Sequence, residues 1–352
     1  MSYLFEKIKA QLKNELPFVC YCKPNSDTII SLLQKNDSLI EWNHDEVGFA
    51  FVSFDNDQRY IIPENQSDVY YEKLQVSDFI YPKQRVFTID DLAKKQFEAL
   101  VVKAVQEIEA GTFEKVVLSR KELITLNDFD LEQVFNQLLI NYPNAFNYGL
   151  YHPKVGFWMG ASPEQFLKIE GNKIKTIALA GTQLSSDLQN SKWEDKERKE
   201  QQIVTDFIVN NLKQFSSLVS KSEPYNFKAG SIIHIRTDIE AVIENKSDIE
   251  KIIDLMHPTP AVCGFPKELS KAFILKNEGY NRELYAGFLG EWNKDFLTFK
   301  EDNSDLYVNL RCMKIQDNHA ELFIGCGINK GSHPEKEFIE TVNKSQTMKK
   351  VL

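Results

Sequence analysis

Glutamates recur at one interval in two distant stretches of the chain: Glu197 and Glu200 in KERKEQQ, and Glu337 and Glu340 in EKEFIETV. On a helix, residues three apart share a face. Two such helices brought together would set their carboxylates against one another unless a cation stood between them. A hard divalent ion, Mg2+, answers that chemistry, because it takes few carboxylates and keeps positions for water and an oxygen-rich ligand. The plain alternative is a pair of solvated acidic faces, and Glu340 with Lys344 four residues on is an ordinary helix-stabilising pair.

Lys115 poses a second question. In TFEKVVLSRKEL (112–123) a strand would point Phe113, Lys115 and Val117 the same way. An ammonium on such an apolar face is costly unless the stem lies along the surface and the tip reaches water. Desolvated instead, it has its charged form disfavoured and can act as a base near neutral pH. Arg311 offers a planar fork for a carboxylate. Gly325 and Gly327, on either side of Cys326, lack the side chains that would keep backbone N–H groups from a ligand. Each has a plainer reading: strand arginines lie on wet faces, and strand-end glycines mark bends.

The elements that must position these residues follow from periodicity. Apolar residues at three- and four-residue spacing predict helices over QFEALVVKAVQEIEAG (96–111), DLEQVFNQLLINY (130–142) and WEDKERKEQQIVTDFIVNNLKQF (193–215), with a closing helix from Pro334. Strands are predicted at the Lys115 segment, FNYGLYH, GFWMGAS, the hairpin QFLKIEGNKIKTIAL, SIIHIRTDI, YAGFLGEW, LYVNLRCMKI and AELFIGCGI. Strands joined by tight turns with helices packed outside imply an α+β architecture of antiparallel sheets. No composition break divides the chain, so residues 1–352 are expected to form a single domain. Its chemistry concentrates after about residue 97, and residues 1–96 are less specific.

Composition excludes several classes. Lys and Arg total 42 against 51 Asp and Glu, for a net charge of −9, and no basic block is present. Nucleic acid and anionic membrane surfaces are therefore not expected as partners. The first 18 residues read as a charged amphipathic helix rather than a signal peptide, and no stretch reaches the roughly 18 apolar residues of a membrane span. Five scattered cysteines without CxxC pairs point to reduced thiols in a cytoplasmic protein and away from a zinc site.

FEKVVLSR, GASPEQFL, IALAGT, HIRTDIEAV, MHPTPAVCGFPKE, YAGFLGEW, LRCMKI, FIGCGI and FIETVNKS follow one another in an order that resembles the chorismate-utilising enzymes. These include anthranilate, aminodeoxychorismate, salicylate and isochorismate synthases. The resemblance covers roughly residues 97–346 and implies large antiparallel sheets packed together with helices outside. It implies chorismate as the substrate and Mg2+ held by Glu200 and Glu340, with Glu197 and Glu337 ordering its waters. Lys115 becomes the general base toward water and Glu164, in Ser-Pro-Glu, the general acid; a turn residue is the plain reading of Glu164. Gly181, Thr182, His234, Ala261, Tyr285, Arg311, Gly325, Gly327 and Lys344 fall at substrate-binding positions.

Within the family, three positions resemble the isochorismate synthases. Lys115 is kept by members that add water and absent from those that add an amine. Ala180 stands where aminodeoxychorismate synthase is expected to carry a nucleophilic lysine. Ala261 replaces the threonine typical of members that go on to eliminate pyruvate. A salicylate synthase and a catalytically silent chorismate binder are the alternatives. Nothing in the motif set requires a partner subunit, so a monomer is expected, and no amidotransferase subunit. Menaquinone, siderophore and salicylate synthesis could each use the product. Relatives usually place histidine directly after the metal-binding glutamate, and Gln201 here implies a change behind the metal site rather than its loss.

Overall fold

A computed structural model describes residues 2–74, 90–184, 193–229 and 232–352. They build two large sheets whose neighbouring strands run antiparallel. A nine-stranded sheet orders the strands Gly264–Phe265, Lys115–Thr125, His319–Ile328, Cys312–Gln316, Gly156–Ser162, Phe146–His152, Phe18–Cys22, Thr28–Gln34 and Ser67–Lys73. A ten-stranded sheet runs from Leu218–Lys221 through Ile232–Val242, Lys173–Leu184, Gln165–Glu170, Asn303–Val308 and Phe288–Trp292 to strands from residues 40–63. The first 73 residues thus supply one edge of each sheet.

Side-chain alternation explains the layering. In Phe18–Cys22, Val19 and Tyr21 join the principal core with Phe49, Phe51 and Phe146. Phe18, Cys20 and Cys22 face the other way, into a second core with the helices Tyr3–Lys13 and Leu131–Asn141. Strand side chains point alternately to opposite faces, so one strand serves both layers. Asp90 and Asp130 cap the helices Asp91–Glu109 and Leu131–Asn141, each accepting backbone N–H bonds in the first turn.

Two predicted elements fold differently. LYVNLRCMKI is not one strand: Asn303–Val308 belongs to the ten-stranded sheet and Cys312–Gln316 to the nine-stranded one. The chain crosses between sheets at residues 309–311, where Arg311 has φ +48°. A second crossing lies beside it, at Pro163–Glu164 between Gly156–Ser162 and Gln165–Glu170. The Val308 N–H donates to the Glu164 carbonyl and the Ala161 N–H to that of Arg311, both at 3.0 Å, which ties the two crossings together. Phe113 also departs from expectation. It precedes the strand, which begins at Lys115, and packs against Phe273 with ring centroids 5.3 Å apart.

Candidate active site

One cavity collects nearly all the residues singled out above. Its walls include Lys115, Glu164, Gly181, Glu197, Glu200, His234, Ala261, Tyr285, Arg311, Gly325, Gly327, Glu337, Glu340 and Lys344. Alternation along Lys115–Thr125 turns Lys115 and Val117 to the cavity, while Val116 and Leu118 enter the principal core. Lys115 is 2% exposed, and its ammonium meets Glu200 Oε1 at 2.7 Å. The expected lysine on a purely apolar face is therefore a lysine in a buried ion pair. The long helix Asp195–Leu212 lies close enough to deliver a carboxylate that offsets the desolvation.

Glu164 and Arg311 reach the cavity from the two neighbouring crossings, where the backbone leaves the sheets and side chains can turn inward. Burial pushes the Glu164 carboxyl up to about 7, with Lys115, Arg311 and Lys344 pulling the other way. Near neutral pH a substantial fraction of Glu164 keeps its proton. Burial also works against the charge of Arg311, partly offset by Tyr285 and Glu340. Lys344 Nζ lies 2.6 Å from Glu340 Oε1 and donates to the Gly325 carbonyl at 3.1 Å.

The strands Lys173–Leu184 and Ile232–Val242 lose register between Ala180 and Gln183, opposite Ile233–Ile235. Gly181 sits in this bulge with φ +72°, a conformation suited to glycine, and a Cβ there would meet Trp193 at 3.2 Å. The bulge turns the Gly181 carbonyl to His234, whose Nδ1 lies 2.7 Å away. A carbonyl only accepts, so Nδ1 carries the hydrogen and Nε2 the lone pair. Burial lowers the imidazole to about 4, so it is neutral at physiological pH. Thr182 follows in the same strand; its side chain lies outside the described residues.

The glycines of Gly-Cys-Gly line the cavity, but not at a strand end. They lie within the strand His319–Ile328 and pair with Ser119 and Val117. A Cβ on Gly325 would come within 2.6 Å of the Tyr285 hydroxyl, and one on Gly327 within 2.8 Å of Glu200 Oε1. The missing side chains make room for the protein's own functional groups.

The four glutamates share the cavity, and Glu200, Glu337 and Glu340 each help burial raise the Cys326 thiol. An all-oxygen, all-anionic set fits a hard divalent cation in kind. Among the described residues no three potential ligands are already gathered as a cage. Glu200 is engaged with Lys115 and Glu340 with Lys344. Glu197 Oε2 accepts the Glu194 N–H at 3.0 Å as the reciprocal half of a capping box. Gln201 is buried behind the cavity, donating to Thr205 and Thr237 hydroxyls at 2.8 Å each, and so pins the helix to the strand Ile232–Val242.

Sequence reasoning missed a supporting network. Buried Arg282 pairs with Glu278 and donates to the carbonyls of Val117 at 2.7 Å and Val262 at 3.0 Å. Glu278 accepts the Ser119 N–H at 2.7 Å. The Lys115 strand and the Ala261 loop thereby hang from one buried guanidinium. Glu278 and Arg282 stand four apart, a spacing that resembles any surface helix pair, and nothing local marks their burial.

Residues 51–352 match the family described as chorismate binding enzyme, a match that begins well before the motif run at 97. A salicylate biosynthesis isochorismate synthase of Pseudomonas aeruginosa is 32% identical over 271 residues, covering 74% of this chain and 55% of that protein. The isochorismate synthase EntC of Escherichia coli is 31% identical over 262 residues, covering 72% of this chain and 66% of EntC. The matched region thus spans just over half to two thirds of these curated relatives. The structure of MenF, the menaquinone-specific isochorismate synthase from Escherichia coli, shares the fold at TM-score 0.79 and 21% identity, over 96% of this chain and 88% of that one. No described helix is long and apolar enough to cross a membrane. By the extent of the family match and the order of its motifs, the chain belongs to the chorismate binding enzymes.

Proposed function

We propose that the protein is an Mg2+-dependent isochorismate synthase, an isomerase that converts chorismate to isochorismate. The observation that carries this is Lys115 and Glu164 lining one cavity, the latter with a pKa of about 7. Lys115 acts as base only in its neutral form, released from the pairing with Glu200; that amine takes a proton from water while the water oxygen bonds to ring C2. The ring double bonds shift and the C4–O bond breaks, with Glu164 giving its proton so that the hydroxyl leaves as water. One water enters and one departs, so the product is an isomer. Both carboxylates of the substrate need cationic partners, and Arg311 and Lys344 provide them beside the Tyr285 hydroxyl. The His234 Nε2 lone pair can accept from a substrate hydroxyl. Ala180 lines the wall and offers no amine for a covalent intermediate.

When bound, Mg2+ would be held by Glu200 and Glu340, with Glu197 and Glu337 ordering its waters, and would supply a fixed positive charge for the ring carboxylate. The relatives named as isochorismate synthases support the reaction proposed. We also place the enzyme in the cytoplasm, acting as a monomer without an amidotransferase subunit, and supplying menaquinone, siderophore or salicylate synthesis.

The test is incubation with chorismate and Mg2+, without ammonia, and identification of the products by chromatography and mass. The expected product is isochorismate alone, abolished by EDTA and by Lys115→Ala. Salicylate with pyruvate, or no turnover, would overturn the assignment.

A further inference from the structure

A second cavity adjoins the first, separated from it by the helix Pro334–Lys349. Residues 344, 345 and 348 of that helix face the active-site cavity, while 343, 346, 347 and 350, at and just beyond its end, face the second. Tyr142, Phe227, Lys228, Gln346 and Lys350 contribute to its walls, and Arg311 and Pro163 line both spaces. Its charged groups are Lys228, Arg311 and Lys350; no aspartate or glutamate lies among its described lining residues. The active-site cavity, by contrast, is bordered by five glutamates, four of them on two helices.

A dianionic substrate approaching an acidic protein is repelled on average, and association is fastest where a local cationic cleft focuses the field. Among the described residues this second cavity combines positive charge, freedom from carboxylates and a shared arginine with the active site. We propose that it is an anion-collecting vestibule, which binds a small carboxylate-bearing molecule transiently and passes the substrate to the active site along Arg311. This rests on the chorismate reading above for the identity of the anion, and on geometry and charge for the location. Lys228 and Lys350 are exposed and do not line the active-site cavity, so their work is confined to encounter.

The test compares wild type, K228Q/K350Q, K228R/K350R and a control with the same change in net charge elsewhere, K73Q/K300Q, by kcat and kcat/KM for chorismate over a range of ionic strength. K228Q/K350Q is expected to lose roughly three- to tenfold in kcat/KM at low salt, with kcat within about twofold of wild type and a flatter salt dependence. The arginine pair and the remote control should both match wild type. Equal kcat/KM in wild type and K228Q/K350Q at every ionic strength overturns the vestibule, as does an equal loss in the remote control. Product identification on the wild type tests the isochorismate assignment separately. Chorismate consumption reads the vestibule whichever product forms, and the chorismate association rate by stopped flow reads it if nothing turns over.

Discussion

Glu200 Oε1 stands 2.7 Å from Lys115 Nζ, directly across the gap that a side chain on Gly327 would fill. The Cβ of Gly327→Ala would lie 2.8 Å from that oxygen and 3.1 Å from Lys115 Cε, so the pair must separate or shift. The variant is expected to lose at least about tenfold in kcat, since displacements near 1 Å at reacting groups carry penalties of that order or more. Its urea unfolding midpoint should move little, because the ion pair and not the backbone yields. Wild-type kcat in Gly327→Ala would show that the pair has no part in turnover.

On the proposed mechanism, replacing the lysine removes the base itself. Lys115→Met fills similar volume without an amine and should lower kcat by roughly 10²–10⁴-fold, the usual scale for a positioned general base. Lys115→Arg should not restore it, because a guanidinium stays protonated. Single-turnover assays with chorismate distinguish this loss from weakened binding.

Glu164 makes rate and stability depend on pH in the same direction. The folded carboxyl has a pKa of about 7, raised from 4.5. The proposed acid is therefore present below about 7 and titrates away above it, so kcat should fall on the alkaline side. From about pH 4.5 to 7 the folded state holds a proton that the unfolded chain has released, so stability declines as pH rises through that window. Glu164→Gln should abolish turnover while stabilising the protein at pH 8 by on the order of 1–3 kcal/mol. Paired denaturation curves at pH 5 and pH 8 check the sign: the difference between variant and wild type should grow at the higher pH.

Arg282→Leu leaves Glu278 buried without its guanidinium and two backbone carbonyls without their donor. Removing one member of a buried pair costs about 3–5 kcal/mol. Should the variant be insoluble, Arg282→Lys serves as the milder probe. It keeps the charge but loses the fork, and is expected to lower the melting temperature and weaken chorismate turnover together, since the Lys115 strand hangs from this residue.

How far the site was legible depended on how local its determinants are. The spacing of Glu197 with Glu200 and of Glu337 with Glu340 is a property of one helix each, and both pairs face the cavity as the periodicity implied. Lys115 was conspicuous because strand alternation set it among apolar neighbours. Its pairing with Glu200 depends on contact between residues 85 positions apart, which no local pattern encodes. Arg311 was misplaced for a similar reason. LYVNLRCMKI is apolar enough to pass for one strand, and the crossing after Val308 is fixed by distant partners. The Asn309 side chain accepts from the Tyr148 hydroxyl at 2.7 Å and donates to the Leu284 carbonyl at 2.9 Å.

The helix Pro334–Lys349 has a bearing on how the protein is made. It brings Glu337, Glu340 and Lys344 to a cavity whose lysine, Lys115, is translated about 220 residues earlier. At ribosomal speeds the lysine strand therefore waits roughly 10–45 s before the closing wall exists. Emerging chains hold no assembled site during that interval. Capacity to capture a ligand should switch on only when this helix docks, which makes ligand binding a reporter of that docking.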